Sequence, residues 1–522
     1  MKHRGWEITG YVLLVAAALA VRLIGLSDRP FHHDESQDAY FSWLFRTQGD
    51  YTYQPILHGP LRFYLTASMY LVFGDSDFTA RLAPALMGTL MVPLPALLRG
   101  QIGRVGAFAA AAALAFGPTF LYYSRFARED IYFACLTLAL LAVTFRFLDR
   151  PRRHQPALIG ALLALSFATK ETTFISVFVF GTFLIVALVA QSRAVGFREA
   201  PIVRAVVGVG WEAWVWCLAA FALVFTLLFT VFLTDPGGLW DGIHDGLAYW
   251  LAQHGPGRGE KEWYFYLVVL VAEEWPVLLL GLAGAVVALR RPTLLRLFLI
   301  WDLLLSLAVY SWANERFTWL VMHPLVPLLL LAGLAVQAIW DARGRLAGRL
   351  GVALVVVAAA YGIYASWTAN AEHGADPREF LVTTQSSTAV KGVRDEIEAV
   401  AAKAEREGRR PGIVVDAADG ATFPWAWYLR HLPVSYVDLT TGTLPSGTDV
   451  ALLTEANRDR LLGELAGYDG RKFPFRVWWV RDYGAMSPGG WWRWYTQRKP
   501  WNPRAGCPSG STHARARSRC RS

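Results

Sequence analysis

Ile8-Thr9-Gly10-Tyr11-Val12-Leu13-Leu14-Val15-Ala16-Ala17-Ala18-Leu19-Ala20-Val21-Arg22-Leu23-Ile24-Gly25-Leu26, followed after a short connector by Phe31-His32-His33-Asp34-Glu35-Ser36-Gln37-Asp38, is the stretch on which the reading turns. Its first half can cross a bilayer as a helix, since about 20 mostly apolar residues span the hydrocarbon core. Met1-Lys2-His3-Arg4 in front of it resembles the start of a signal peptide. The run is long for one, and no small-residue cleavage site closes it, so it reads as an uncleaved first span. The second half sets two carboxylates beside two imidazoles where that helix leaves the membrane. Ionisable groups at the edge of a membrane domain are functional candidates, with an ordinary acidic surface loop as the competing reading.

Outward from there the apolar signature recurs over 77–99, 105–122, 131–149, 156–169, 173–191, 206–234, 264–288, 293–311, 317–339 and 349–369. With the first run, that predicts a polytopic α-helical membrane protein of about 11 transmembrane helices. Lipid offers backbone groups no water to bond, so runs this apolar are stable there only as helices. The chain is 54% hydrophobic and 17% charged with a mean hydropathy of +0.32, which sets it apart from ordinary soluble domains. Its net charge of +9 would suit nucleic acid if it formed one face, but the arginines sit in short groups between apolar runs. Membrane topology explains that distribution, and no nucleic-acid partner is expected. Cys135 and Cys217 lie in apolar runs, Cys507 and Cys520 in the tail, and no Cys or His spacing marks a metal site.

The basic groups Lys2/Arg4, Arg99/Arg104, Arg150/Arg152/Arg153, Arg193/Arg198/Arg204, Arg290/Arg291/Arg296 and Arg343/Arg345/Arg349 fall in every second connection. Positive charge concentrates on the cytoplasmic side, so the N-terminus and these loops are expected inside the cell membrane. The segments 27–76, 123–130, 170–172, 235–263, 312–316 and everything after about 370 are then outside. Within the loop 27–76, Asp38 to Phe45 and Pro60 to Phe73 carry helical patterning and read as helices lying in the membrane interface, with a short span, which would break that alternation, as the other reading of the second. The division is a transmembrane domain over 1–370, an extracytoplasmic α/β domain over 371–503 and a disordered Arg/Ser-rich tail over 504–522. In the second domain, strands are expected at 412–416, 434–437, 450–453 and 475–480, and helices at 388–406, 424–430 and 457–467, with a largely parallel sheet. No Gly-rich phosphate loop follows those strands.

The outer connections gather the remaining polar residues. Asp34 and Glu35 follow the first span; Arg125, Arg128, Glu129 and Asp130 form one turn; Lys170 and Glu171 another; Asn314, Glu315 and Arg316 a third. His33 and His58 lie in the first loop, and the loop 235–263 is placed to cover them as a lid or to serve as a passive connection. Arginine and lysine can clamp a phosphate, and a carboxylate can take a proton from an acceptor hydroxyl. The plainer readings are that Lys170–Glu171 is a local ion pair, that Arg125 and Arg128 anchor the interface, and that 314–316 is a solvated turn.

His33-Asp34-Glu35-Ser36, Phe78-Thr79-Ala80-Arg81-Leu82-Ala83-Pro84, Tyr123-Ser124-Arg125-Phe126-Ala127-Arg128-Glu129-Asp130, Thr169-Lys170-Glu171, Asp376-Pro377-Arg378-Glu379-Phe380 and Trp425-Ala426-Trp427-Tyr428-Leu429-Arg430 together resemble a known class. They look like the GT-C glycosyltransferases, in the style of protein O-mannosyltransferases and aminoarabinose transferases, and most like the flippase-activity-associated family of archaeal N-glycosylation. The resemblance to the GT-C class covers about the first 370 residues. The Arg/Ser-rich ending does not look like that family's. The resemblance implies a GT-C fold with Asp34 as catalytic base and Glu35 supporting it. It also implies donor-phosphate binding by Arg125, Arg128, Lys170 and Arg316, with His33, His58, Asp130, Glu171 and Glu315 in support. Some members of the class use a divalent metal such as Mg or Mn and others need none; if one binds here, Asp34, Glu35 or His33 would be its ligands. The expected activity is transfer of a sugar from a polyprenyl-phosphate donor to a lipid-linked glycan, glycolipid or protein hydroxyl at the extracytoplasmic face. A flippase or flippase accessory is the alternative, and an assembly scaffold the blandest one.

Overall fold

The computed structural model describes residues 2–49, 51–252, 261–313, 316–383, 385–477, 487–499 and 508–509. Glu315, Asn314, the lid residues His254, Arg258 and Glu260, and nearly all of the tail 504–522 lie outside the described residues. The bundle opens with α1 (Lys2–Leu23), and the first loop then carries α2 (His33–Gln48) and α3 (Leu61–Phe73). There follow α4 (Asp77–Met91), α5 (Arg104–Phe116), α6 (Pro118–Ser124), α7 (Asp130–Asp149), α8 (Gln155–Phe167) and α9 (Thr173–Val195). The second half runs α10 (Pro201–Gly208), α11 (Trp211–Phe229), α12 (Phe265–Glu273), α13 (Trp275–Arg290), α14 (Leu294–Trp312), α15 (Met322–Asp341) and α16 (Leu346–Trp367).

Among the described residues, eight helices are long and apolar enough to cross a membrane, and two bent pairs raise that to ten. The expected span at 156–169 is the 13-residue α8, which rises only about 20 Å; the turns on either side of it complete the return of the chain to the Asp130 end of α7, where Lys170 lies. It lies against α11, where Gly160 approaches so closely that a Cβ would fall 2.1 Å from the Cys217 carbonyl oxygen. The expected 206–234 divides into α10 and α11. Helices α5 and α6 meet at 52° across Gly117-Pro118, and α12 and α13 at 108° across Glu274-Trp275-Pro276. Proline lacks the N–H that would continue the ladder, which is why the spans break at these points. The Glu274 carboxylate accepts the Thr119 N–H at 3.0 Å and so ties the two breaks together. Helix α15 is the hub, buried continuously from Met322 to Ala335, whereas α11 and α16 expose most of their surface.

Both loop helices are present. Helix α3 buries Leu61, Arg62, Phe63, Tyr64, Ala67 and Tyr70 in protein and exposes Ser68 and its last three residues. The C-terminal region holds β1 (Gln385–Ser386), α17 (Ala389–Arg406), β2 (Ile413–Asp416), α18 (Thr422–Tyr428), β3 (Val434–Val437), β4 (Val450–Leu452), α19 (Glu455–Arg460), β5 (Arg476–Val477), α20 (Pro488–Gln497) and β6 (Pro508–Ser509). Strands β3, β2 and β4 form a parallel sheet in that order, with Val414 opposite Ser435 and Ala451. The unbroken apolar run Ile413-Val414-Val415 occupies its buried centre, as a strand covered on both faces requires. A second ladder, β1–β5–β6, is antiparallel; β5 falls within the strand expected at 475–480, whose residues 478–480 lie outside the described residues, whereas the two-residue β1 and β6 leave no periodicity to read.

This region is fastened to the bundle. Phe31, Ala39, Tyr70 and Ala80 share one apolar core with Val390, Ile397, Ile413, Val415, Trp425 and Trp427. The Tyr428 hydroxyl accepts the Phe31 N–H at 2.8 Å, the Trp427 indole donates to Asp77 at 2.9 Å, and Arg430 donates to Asp75 at 2.8 Å. At the other side α20 lays Trp494 and Tyr495 on the α12–α13 break, donating to the carbonyls of Ala272 and Val271 at 2.9 and 2.7 Å. Arg498, fully buried just beyond α20, donates to Glu273 at 2.7 Å and also to Glu379.

Candidate functional site at the N-terminus of helix α2

The first turn of α2 is built by a capping box. His32 accepts the Asp34 N–H on Nδ1 at 3.0 Å, and Glu35 reaches back to the His32 N–H at 3.0 Å. Carboxylates are favoured there, because unpaired N–H groups give a helix N-terminus partial positive charge. The two acids then part. Glu35 is fully buried, accepting Arg81 Nε and Nη2 at 2.8 and 2.9 Å, Arg29 at 3.4 Å and the Ala127 N–H at 2.9 Å. Burial works against its charge, but Arg81 and Arg29 outweigh that and hold its pKa down at about 2. Glu35 thus pins the connector 26–35 to α4 and faces away from the opening, a placement consistent with the supporting part the resemblance implies beside Asp34. Asp34 instead turns to the opening with its side chain 32% exposed, and Arg128 donates to it.

Arg128 leads inward. Its guanidinium lies over the Trp319 ring at 4.0 Å and its Nε donates to Glu129 and Asp130, both at 3.2 Å. Lys170 donates to Asp130 at 2.6 Å and lies 3.1 Å from Glu129. Arg62 bridges Asp38 and Glu129 at 2.5 and 2.6 Å. His58 meets Glu171 at 2.6 Å and Glu129 at 3.4 Å, and Tyr53 donates to Glu171 at 3.1 Å. The turns at 34, 58, 128–130 and 170–171, far apart in sequence, thus form one buried charged network. The described part of the loop 235–263 packs against it, since a Cβ on Gly246 would fall 2.9 Å from the Tyr53 hydroxyl.

Pairing governs the protonation states. Burial opposes the Glu129 charge, but Arg128, Lys170, His58 and Arg62 overcome it and hold that carboxyl well below the usual range. Burial likewise opposes the His58 and Lys170 charges, and neighbouring carboxylates overcome it, so both pKa values are raised. His33 behaves oppositely: burial and the nearby Arg476 push its pKa down to about 4.

The other expected site residues are placed differently. Arg125 donates to the carbonyls of Val21 and Arg22 at the end of α1 and of Ile24 and Gly25 just beyond it; it caps a helix and does not enter the network. Arg316 donates to the carbonyls of Ser311 and Lys261 and holds a turn. Lys170, with its side chain only 5% exposed, is occupied by two carboxylates and braces Asp130. Arg125 and Arg316 thus bond to backbone carbonyls away from Asp34, and of the expected cations Arg128 is the one that pairs with it. His33 faces the C-terminal region, 3.1 Å from Arg476 and edge-on to Phe423. Asp34, Glu35 and His33 thus point to Arg128, Arg81 and Arg476, and do not make a shared cation site. Among the described residues, no group of three or more His, Cys, Asp or Glu is placed to hold a metal ion.

Sequence reasoning left out Arg62, Arg81, Trp319 and Arg476. A legible signal existed for two of them, because Arg62 and Arg81 interrupt apolar helices, where a charge needs a partner. Trp319 and Arg476 carried no such mark.

A family model described as dolichyl-phosphate-mannose-protein mannosyltransferase matches residues 57–207, which include His58, Arg128, Asp130 and Lys170 but not Asp34. No curated protein matches the chain by sequence. Among solved structures, ArnT from Cupriavidus metallidurans bound to undecaprenyl phosphate superposes with a TM-score of 0.59 at 19% identity, covering 81% of this chain and 85% of that one. The archaeal oligosaccharyltransferase AglB from Archaeoglobus fulgidus, in complex with an inhibitory peptide and a dolichol-phosphate, superposes with a TM-score of 0.54 at 14% identity, over 97% of this chain and 65% of that one. The same archaeal enzyme in complex with Zn and sulfate has a TM-score of 0.51 at 14% identity, covering 95% of this chain and 62% of that one. The chain has the GT-C type fold of these proteins, as the resemblance implied. A flippase reading gains no support from them.

Proposed function

We propose that this protein is a membrane glycosyltransferase that takes a sugar from a polyprenyl-phosphate donor and passes it to the hydroxyl of a lipid-linked glycan, glycolipid or protein. The observation that carries the proposal is the contact between Asp34, open at the end of the bundle, and Arg128, within a fold shared with enzymes solved with lipid phosphates. Asp34 accepts the proton of the acceptor hydroxyl as the hydroxyl oxygen attacks the sugar's anomeric carbon. The bond from that carbon to the phosphate oxygen breaks, and the lipid phosphate leaves with the electron pair, its charge met by Arg128. Glu129, Asp130 and Lys170 hold Arg128 in place, and Glu35 with Arg81 holds the turn that presents Asp34. The alternation of basic loops assigns this end of the bundle to the extracytoplasmic side. Lipid phosphate is itself a sound leaving group, so no nucleotide is needed there.

Asp34→Asn keeps the side-chain shape and removes the proton acceptor. In proteoliposomes supplied with a polyprenyl-phosphate sugar it is expected to lower transfer by about 100-fold or more while donor binding persists. Transfer at the wild-type rate would take Asp34 out of the chemistry.

A further inference from the structure

Inside the bundle, about one helical turn below the Lys170–Glu171 connection, lies a small cavity of about 20 Å³. Four helices line it: α7 with Thr137, α9 with Ser176, α14 with Asp302, Ser306 and Tyr310, and α15 with His323. The spacing explains the convergence, since 302, 306 and 310 recur every four residues along one face of α14. Asp302 is 8% exposed, and among the described residues its carboxylate has no hydrogen-bond or ion-pair partner. His323, 9% exposed, has no partner for Nε2. Tyr310 stacks on that ring at 4.9 Å and 12°, and Phe133 meets it edge-on at 5.0 Å, so the imidazole is fixed where it stands. A carboxylate left bare at such depth costs several kcal/mol, and something must offset it.

We propose that this cavity holds one monovalent cation of the size of Na⁺, bound by Asp302 with the hydroxyl oxygens of Ser306, Ser176, Thr137 and Tyr310. The donors present suit such an ion. Ser306 spends its hydroxyl proton on the Asp302 carbonyl oxygen at 2.5 Å, so toward the cavity it can only accept. In the tautomer protonated at Nδ1, His323 adds the lone pair of Nε2. Oxygen donors select hard cations over soft ones. Charge then selects within that class: one carboxylate neutralises one positive charge, whereas a divalent ion would leave net charge buried among apolar helices. A cavity of about 20 Å³ has room for a single water-sized particle. The ion joins α14 and α9 to α15, the helix whose entering turn carries Trp319 beneath Arg128.

The test is thermal unfolding of the full chain in detergent with sodium, potassium or choline chloride at matched ionic strength. Sodium is expected to raise the melting temperature by about 2–5 °C over choline. Asp302→Asn, nearly the same in shape, is expected to melt at one temperature in all three salts, and Ser306→Ala to show a reduced sodium response. Sodium NMR provides a second reading that does not depend on unfolding: line broadening by the wild-type protein, lost in Asp302→Asn. If Asp302→Asn does not fold, Ser306→Ala and Ser176→Ala are read by the same broadening. Equal melting in the three salts would overturn the site and assign Asp302 as a protonated carboxyl beside a water molecule. A sodium response retained by Asp302→Asn would overturn it too.

Discussion

Two adjacent acids of the same helical turn, Asp34 and Glu35, meet different partners, and exposure sorts their roles. Glu35→Gln removes the charge that Arg81 faces in a dry site, and an uncompensated buried ion costs about 3–5 kcal/mol. The expected result is a clear fall in melting temperature in detergent, where Asp34→Asn melts near wild type. Equal melting of the two variants would show that Glu35 does not hold the connector. The two histidines give opposite pH signatures. His58 has a raised pKa in the folded protein, so its contribution is complete below the unfolded value of about 6.5 and is lost as pH rises toward the folded one. His33, lowered to about 4, contributes fully above about 6.5 and loses that contribution as pH falls toward 4. Stability is therefore expected to weaken on both sides of neutrality, and His58→Gln to flatten the alkaline arm alone in melting curves taken across pH. What could be read at this scale was the set of charged turns. Their partners could not be read: Arg125 beside Arg128 looks equivalent in sequence, and only the carbonyls at and just past the end of α1 that it caps distinguish it.

At the scale of elements, the spans were legible because lipid imposes one solution on an apolar run, and the parallel strands because Ile413-Val414-Val415 is too short and too apolar for a surface helix. The bends were less legible. Pro118 and Pro276 announce a break, but the 108° angle at the second is set by what packs in it, namely Glu274 on Thr119 and Arg498 on Glu273. The 13 residues of α8 also read as a span from composition alone; the helix is short, and the residues at its two ends complete the return from Arg153 to Lys170 beside Asp130. Arg498→Ala leaves Glu273 and Glu379 without their cation, so a loss of about 3–5 kcal/mol is expected. Limited proteolysis is the direct check: cleavage between α19 and α20 should accelerate in that variant. An unchanged digestion pattern would mean that α20 is held by its aromatic residues alone.

Over the whole molecule, the sheet-bearing region and the Asp34 end of the bundle share a core, which fixes them on one side of the membrane. Single cysteines at exposed Ser435 and Asp419 in a Cys-free background are therefore expected to react with an impermeant maleimide from the side opposite Arg152 and Arg153. Labelling of all four positions from one side would overturn the assigned topology. That orientation is what the positive-inside pattern leads one to expect, since it depends on counts of Arg and Lys in short loops. The joint between the two regions was not legible, because Phe31 and Trp427 are 396 positions apart and nothing local marks them as neighbours.

Arg498 and Glu273 are separated by 225 positions, and that order of synthesis has a cost during biogenesis. A ribosome releases the broken helix into the bilayer long before it makes the residue that neutralises it. For that interval the insertion machinery or the lipid headgroups must shelter an acidic kink, so nascent chains stalled before residue 498 are the form that cellular quality control would meet.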